Sequence, residues 1–159
     1  MRRTDREVTD ENKIDNIIEK CNCCRIGLYD SEKSQVYIVP LNFGYVKKEE
    51  QKIFYFHCAK EGRKIELIQK NPKAGFELDT NYQLKEAEKA CGYSAYFQSI
   101  IGNGEIHFVT NNEEKVIGLN SIMKHNTGKD NWNFDEKMLN SVCVFKLVIE
   151  VLSCKENMK

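Results

Sequence analysis

The chain has 159 residues, 24 lysines and arginines against 24 aspartates and glutamates, and 41% hydrophobic content. That length supports one domain with a sizeable core, and the zero net charge removes the usual reason to expect a nucleic-acid partner. No apolar run reaches membrane-spanning length, the start MRRTDREVTDENK lacks the apolar region of a secretory signal, and seven cysteines read as reduced thiols. A cytoplasmic protein without a membrane partner is expected.

In chain order, DENKIDNIIEKC reads as a helix capped by Asp10, with Ile14, Ile17, Ile18 and Cys21 as its apolar stripe. CRIGLYD is a strand, SEKS a turn, QVYIVPLNFGYV a second strand and KIFYFHC a third. A short helix follows within FHCAKEGRKIELIQKNP, ending at Pro72, and then AGFELDT as a fourth strand. The polar stretch 81–93 reads as a helix or an excursion loop, and SAYFQSIIGNGEIHFV as a long strand or a hairpin broken at Gly102 and Gly104. Val116, Leu119, Ile122 and Met123 have helical spacing, with TG as the stop. A loop carrying Trp132, a short helix and the strand VCVFKLVIEVL complete the chain. Adjacent strand pairs without βαβ alternation predict a mainly β fold, a closed or nearly closed antiparallel barrel with peripheral helices.

Two stretches invite a ligand. Lys60, Arg63 and Lys64 crowd the start of a helix, where the dipole disfavours cations and only Glu61 offsets them. Either they point into water, or they and the helix N–H groups bind an anion, with Ala59 and Gly62 small enough for close approach. Pro40 inside YIVPLNFG implies an edge strand or a bulge. Water satisfies such an edge by default; a planar heterocycle with alternating donors and acceptors, held by Val39, Leu41 and the Asn42 amide, is the other reading. GNG at 102–104 lacks the rest of a dinucleotide fingerprint, and no Walker A loop is present. Cys21, Cys23 and Cys24 could offer three thiolates to zinc, but Cys21 on a helix face and Cys24 at a strand start fit buried small residues better, so no metal is expected. His107 and His125 have no triad partner in the sequence and read as surface or packing residues.

YIVPLNFGY, then FHCAKEGRKIELIQKNP and later YFQSIIGNGEI, together resemble the 5-nitroimidazole resistance (nitroimidazole reductase) branch of the pyridoxamine 5'-phosphate oxidase-like flavoproteins. The likeness includes the opening RRTDREVTD and the late GKD and FDEKML segments. It implies an FMN-binding split barrel and a homodimer with a flavin at each edge of the subunit interface. Ile38, Val39, Pro40, Leu41 and Asn42 would follow the isoalloxazine edge, Lys60, Arg63 and Lys64 would hold the phosphate, and Ser99 would lie near the flavin. His57, Ala59, Gly62, Arg63 and Lys64 match the family's H-x-A-x-x-G-R-K pattern, with Cys58 inside it. His57 is the candidate catalytic residue; a structural strand-end histidine is the alternative. Trp132 would reach a partner's flavin or plug its own barrel end. The arginines and C-terminal motif of members that oxidise pyridoxamine phosphate are not found, which argues against that reaction. The activity implied is reduction of a small electron-poor compound such as a nitroaromatic, with an unidentified electron donor. A flavin- or haem-binding protein without turnover is the alternative.

Overall fold

The computed structural model describes residues 3–158; Arg2, which opens the RRTDREVTD stretch, lies outside them. Strands β1 (Glu7–Val8), β2 (Cys24–Asp30), β3 (Gln35–Leu41), β4 (Gly44–Lys48), β5 (Gln51–Cys58), β6 (Lys73–Lys85), β7 (Ser94–Val109) and β8 (Cys143–Asn157) form one sheet. Its order is β3-β2-β6-β7-β8-β5-β4, with β1 added along β8, and every pairing is antiparallel. Helices α1 (Glu11–Lys20), α2 (Arg63–Lys70), α3 (Asn112–Thr127) and α4 (Glu136–Ser141) are peripheral.

β3 and β4 are opposite ends of that order, yet only Asn42 and Phe43 separate them in the chain. So short a link spans at most about 11 Å. The sheet must therefore curl until its two edges converge at this corner. Among the described residues no ladder joins β3 to β4, so the barrel is split.

Strand alternation sorts the side chains. Phe54 and Phe56 of β5, Phe76 of β6, Ile106 of β7 and Phe145 and Leu147 of β8 face inward into the main core, closed by Ile14, Ile17 and Ile18 of α1 and Leu67 and Ile68 of α2. Phe43 drops fully buried into the same core, 5.1 Å from the Phe54 ring. Burying such a ring contributes about 1.5–3 kcal/mol. A second, smaller core lies on the other face, where α3 packs Ile122 against Ile53, Tyr55, Val109 and Val144.

Four sequence expectations are corrected or sharpened. The strand expected over 35–46 is two strands, because Asn126 of α3 accepts from the Asn42 amide at 2.8 Å and donates to the Phe43 carbonyl at 3.2 Å, diverting the chain. Of residues 81–93 only the second part is a loop, closed by a 3-10 turn at Ala90–Gly92; β6 itself runs to Lys85, re-registering between Thr80 and Gln83, where Asn81 takes φ 57° and donates to the buried Gln98 at 2.7 Å. The 94–109 stretch is the long strand and not a hairpin: β7 is continuous through Gly102 and Gly104, although its ladder with β8 shifts register between Asn103 and Gly104. A Cβ at Gly102 would strike the Val151 carbonyl and the Phe76 ring, and one at Gly104 the Val148 carbonyl, so both permit close strand approach. The last strand extends beyond Leu152 to Asn157.

Candidate functional site

α2 starts unlike the other helices. Asp10 caps α1 by accepting from Lys13 N at 2.9 Å, Asn111 caps α3 through Glu114 N at 3.1 Å, and Asp135 caps α4 through Met138 N at 2.7 Å. At α2 the cap position is Gly62, with φ 127° and no capping side chain, and Arg63 and Lys64 are the first helical residues. Glycine alone takes that backbone angle without strain. The positive end of the helix and two cations therefore share one place.

Arg63 has an anion of its own. Its Nη2 donates to Asp30 Oδ2 at 2.8 Å, and its guanidinium lies 5.1 Å from the centre of the Tyr37 ring. Asp30 is buried, and its other oxygen accepts the backbone N–H groups of Glu32 and Lys33 at 3.1 and 3.2 Å. Burial opposes the charge, but those N–H groups and Arg63 outweigh it and hold Asp30 below the ordinary carboxylate range. Among the described residues no carboxylate pairs with Lys60 or Lys64. They are the free cations here.

β3 runs past the same place. Tyr37, Val39 and Leu41 pack inward, while Ile38 and Pro40 face out. Pro40 lies on an edge strand, as its missing N–H requires, and the far side of β3 has no ladder partner among the described residues. Val39 is two residues beyond Tyr37, about 7 Å along the strand. The cationic helix start and the open edge are thus contiguous.

His57 is exposed near the end of β5, opposite Val144, on the face that carries Tyr55. Cys58 follows on the inner face, directly opposite Cys143, and Ala59, Lys60 and Gly62 form the exposed loop into α2. Ser99 is elsewhere. It pairs with Lys155 of β8, eleven steps along that strand from Val144, or about 36 Å of strand path. Register within the sheet does not set Ser99 beside the cations.

Trp132 does not plug the barrel: it is 43% exposed on a loop tied to α3, exchanging two hydrogen bonds with Asn120 at 2.8 and 3.2 Å. Cys21 and Cys24 are buried in the core. His125 is a packing residue, 4.2 Å from the Phe43 ring and 2.7 Å from the Cys21 carbonyl. Asp30, Tyr37 and Cys143 were not anticipated from the sequence; for Asp30, the DSEK turn carried an Asx-turn signal.

The pyridoxamine 5'-phosphate oxidase family model matches residues 10–156. The chain belongs to that family. It is 30% identical to a candidate 5-nitroimidazole antibiotic resistance protein from Bacteroides thetaiotaomicron, with a TM-score of 0.80 over 94% of this chain and 85% of the other. A flavocytochrome from Azotobacter vinelandii (16% identity, TM-score 0.80, 100% and 72% covered) shares the fold. So does an FAD- and heme-binding protein from Mycobacterium smegmatis (13%, 0.82, 97% and 74%). No curated protein matches the sequence. Among the described residues no helix is long and apolar enough to cross a membrane.

Proposed function

We propose that this protein is an FMN-dependent reductase of a small electron-poor compound such as a nitroimidazole, working as a homodimer. The carrying observation is the start of α2. It is uncapped and cationic, with Lys60 and Lys64 unpaired, and it adjoins the open edge of β3. A phosphate satisfies the first feature and the polar rim of a flat heterocycle the second. Family membership and the likeness to the Bacteroides protein support the flavin and the nitroimidazole.

Bound FMN would supply two-electron transfer. The residues of this chain do the rest. Lys60, Lys64 and the α2 N–H groups hold the phosphate, and Asp30 keeps Arg63 fixed against Tyr37. Backbone groups from Ile38 to Leu41 orient the ring edge. The Asn42 amide nitrogen is engaged by Asn126, which leaves its carbonyl oxygen for a ligand. His57, exposed and two residues before the loop, is placed to hold or deliver a proton at the substrate.

The homodimer reading rests on the outer sheet face. Tyr29, Val36, Ile38, Ile101 and Val151 are 51–64% exposed. Ile38, Gly27, Gly75, Asn103 and Val151 form one register row across five strands, an open trough rimmed by apolar side chains. Two such faces packed about a two-fold axis would bury more than about 1,200 Å² in total. Ser99 shares this face with Ile101, so it would serve the partner's flavin.

The test is an absorbance spectrum of the purified protein, followed by anaerobic reduction with nicotinamide cofactors and addition of a nitroimidazole. Flavin bands that bleach and then recover with the nitro compound support the reading. A Soret band in place of flavin bands overturns it.

A further inference from the structure

Cys58 is the last residue of β5 and Cys143 the first of β8, and the two are direct cross-strand partners at the end of their ladder. In either class of antiparallel pair the Cα atoms lie about 4.5–5.5 Å apart, inside the range a disulfide spans. Direct cross-strand partners project their side chains from the same face of the sheet, so the two thiols are neighbours. Both are half-buried thiols, and Cys143 lines an open depression with Lys60, Lys115 and Val142.

We propose that Cys58 and Cys143 form an oxidisable dithiol that exchanges with low-molecular-weight anionic disulfides, Cys143 attacking and Cys58 resolving. The Cys143 thiolate attacks one sulfur of the small disulfide, forming a mixed disulfide and releasing one thiolate. Cys58 then loses its proton to solvent and attacks Cys143 Sγ, closing the intrachain disulfide and releasing the second thiolate. Two protein thiols lose two electrons, and one small disulfide becomes two thiols.

The order of attack follows from the surroundings. Burial raises both thiols, Cys58 to about 11. Burial still prevails at Cys143, but there the neighbouring Cys58 side chain and the ammonium groups of Lys115, Lys64 and Lys60 all oppose it, whereas at Cys58 Lys64 alone does. Lys115, which the proposed phosphate site does not use, attracts an incoming anion. The other five cysteines lack this pairing: Cys21, Cys24 and Cys154 are buried in the core, Cys23 is half-buried between α1 and β2, and Cys91 is exposed on the loop after β6. The proposal stands whether or not the protein binds flavin.

Purified protein is incubated with oxidised glutathione, remaining thiols are alkylated, and the peptides are mapped by mass spectrometry. The expected result is loss of two alkylatable thiols and one linked peptide pair joining Cys58 to Cys143, reversed by dithiothreitol. Cys58→Ser should instead retain a stable mixed disulfide on Cys143, and Cys143→Ser should leave Cys58 alkylatable. The wild-type map decides even if a variant fails to fold. Recovery of both cysteines as alkylated thiols while Cys91 carries glutathione overturns the proposal, as does linkage of any other pair.

Discussion

The two halves of this sheet treat their outer faces in opposite ways. Over β4, β5 and β8, α3 lies so close that Gly44 and Gly118 have no room for a side chain, and a second small core fills the gap. Over β3, β2, β6 and the middle of β7, no helix among the described residues covers the face, and apolar side chains stand in the open beside Gly27 and Gly75. Glycine thus does two jobs in one sheet. Under α3 it admits a helix of the same chain; on the bare half it keeps a surface flat enough for something from outside. The proposed cofactor site lies at the seam, where the end of β5 leads into α2.

The sharpest test of that contrast is a matched pair of glycine substitutions. A Cβ at Gly44 would run into the backbone of Ser121 and Ile122, which cannot step aside without moving α3. Gly44→Ala should therefore lower stability by about 3 kcal/mol, the upper end of overpacking costs. At Gly75 a Cβ meets only the Gly102 carbonyl at 3.8 Å. Gly75→Ala should stay within about 0.5 kcal/mol of the parent. Urea unfolding of both proteins checks this; equal losses would erase the distinction between the halves.

On the bare half, Ile38→Asp should act on assembly and leave the fold alone. If this face is the two-fold interface, the charge enters it twice, and the dimer dissociation constant should rise at least about 100-fold, a central hot-spot effect. Light scattering across a dilution series reads the result. A monomeric parent, or a dimer indifferent to the change, would remove the reason offered for the exposed side chains.

At the seam, His57→Ala should lower turnover per bound flavin by roughly 10²-fold with little change in flavin affinity, if the imidazole handles a proton. Unchanged turnover, with weaker binding or lower stability, would make it a positioning residue. Lys64→Ala should do the reverse. It removes one charge-assisted contact, so FMN affinity should fall about tenfold while turnover of the loaded protein holds. Arg63→Ala should cost stability as well as affinity, since it strands the buried Asp30 carboxylate.

How much of this was readable beforehand depended on distance along the chain. Asp10 and its helix stripe, the edge position of Pro40 and the cations at the start of α2 are local patterns, and the sequence alone carried them. The partner of Arg63 was hidden because Asp30 sits 33 residues earlier and meets it only after β2 and α2 have packed. The break at Asn42–Phe43 was hidden because its cause, Asn126, is on a helix more than 80 residues later. Resemblance grouped Ser99 with the flavin residues, yet register sets it opposite Lys155, eleven residues along β8 from the partner of His57, an offset that no motif records. The facing of Cys58 and Cys143 is likewise a property of the β5–β8 register.

The smallest effect separates the halves by pH. Beneath α3, Glu114 accepts from Lys146 Nζ at 2.6 Å and from the Tyr55 hydroxyl at 3.0 Å. The hydrogen bond from Lys146 does most to hold its carboxyl below the ordinary value of 4.5, against the opposing effect of burial. A carboxylate whose folded pKa is depressed stabilises the fold fully above its unfolded value, and that contribution disappears as pH falls through the folded value. Glu114→Gln should therefore cost stability at pH 7, about 1 kcal/mol or less for a partly exposed pair. The gap between parent and variant should close as pH drops below 4.5. On the bare half, Asp79 pairs with Arg25 at 2.5 Å, but both side chains are 45% exposed. Asp79→Asn should shift the urea midpoint less than Glu114→Gln at pH 7, because water already screens that pair. Urea titrations of the three proteins at pH 7 and pH 3 decide the matter. A gap for Glu114→Gln that widens in acid would mean the carboxylate is not stabilised by its partners in the folded protein, and α3 would then be held over the sheet by apolar contact alone.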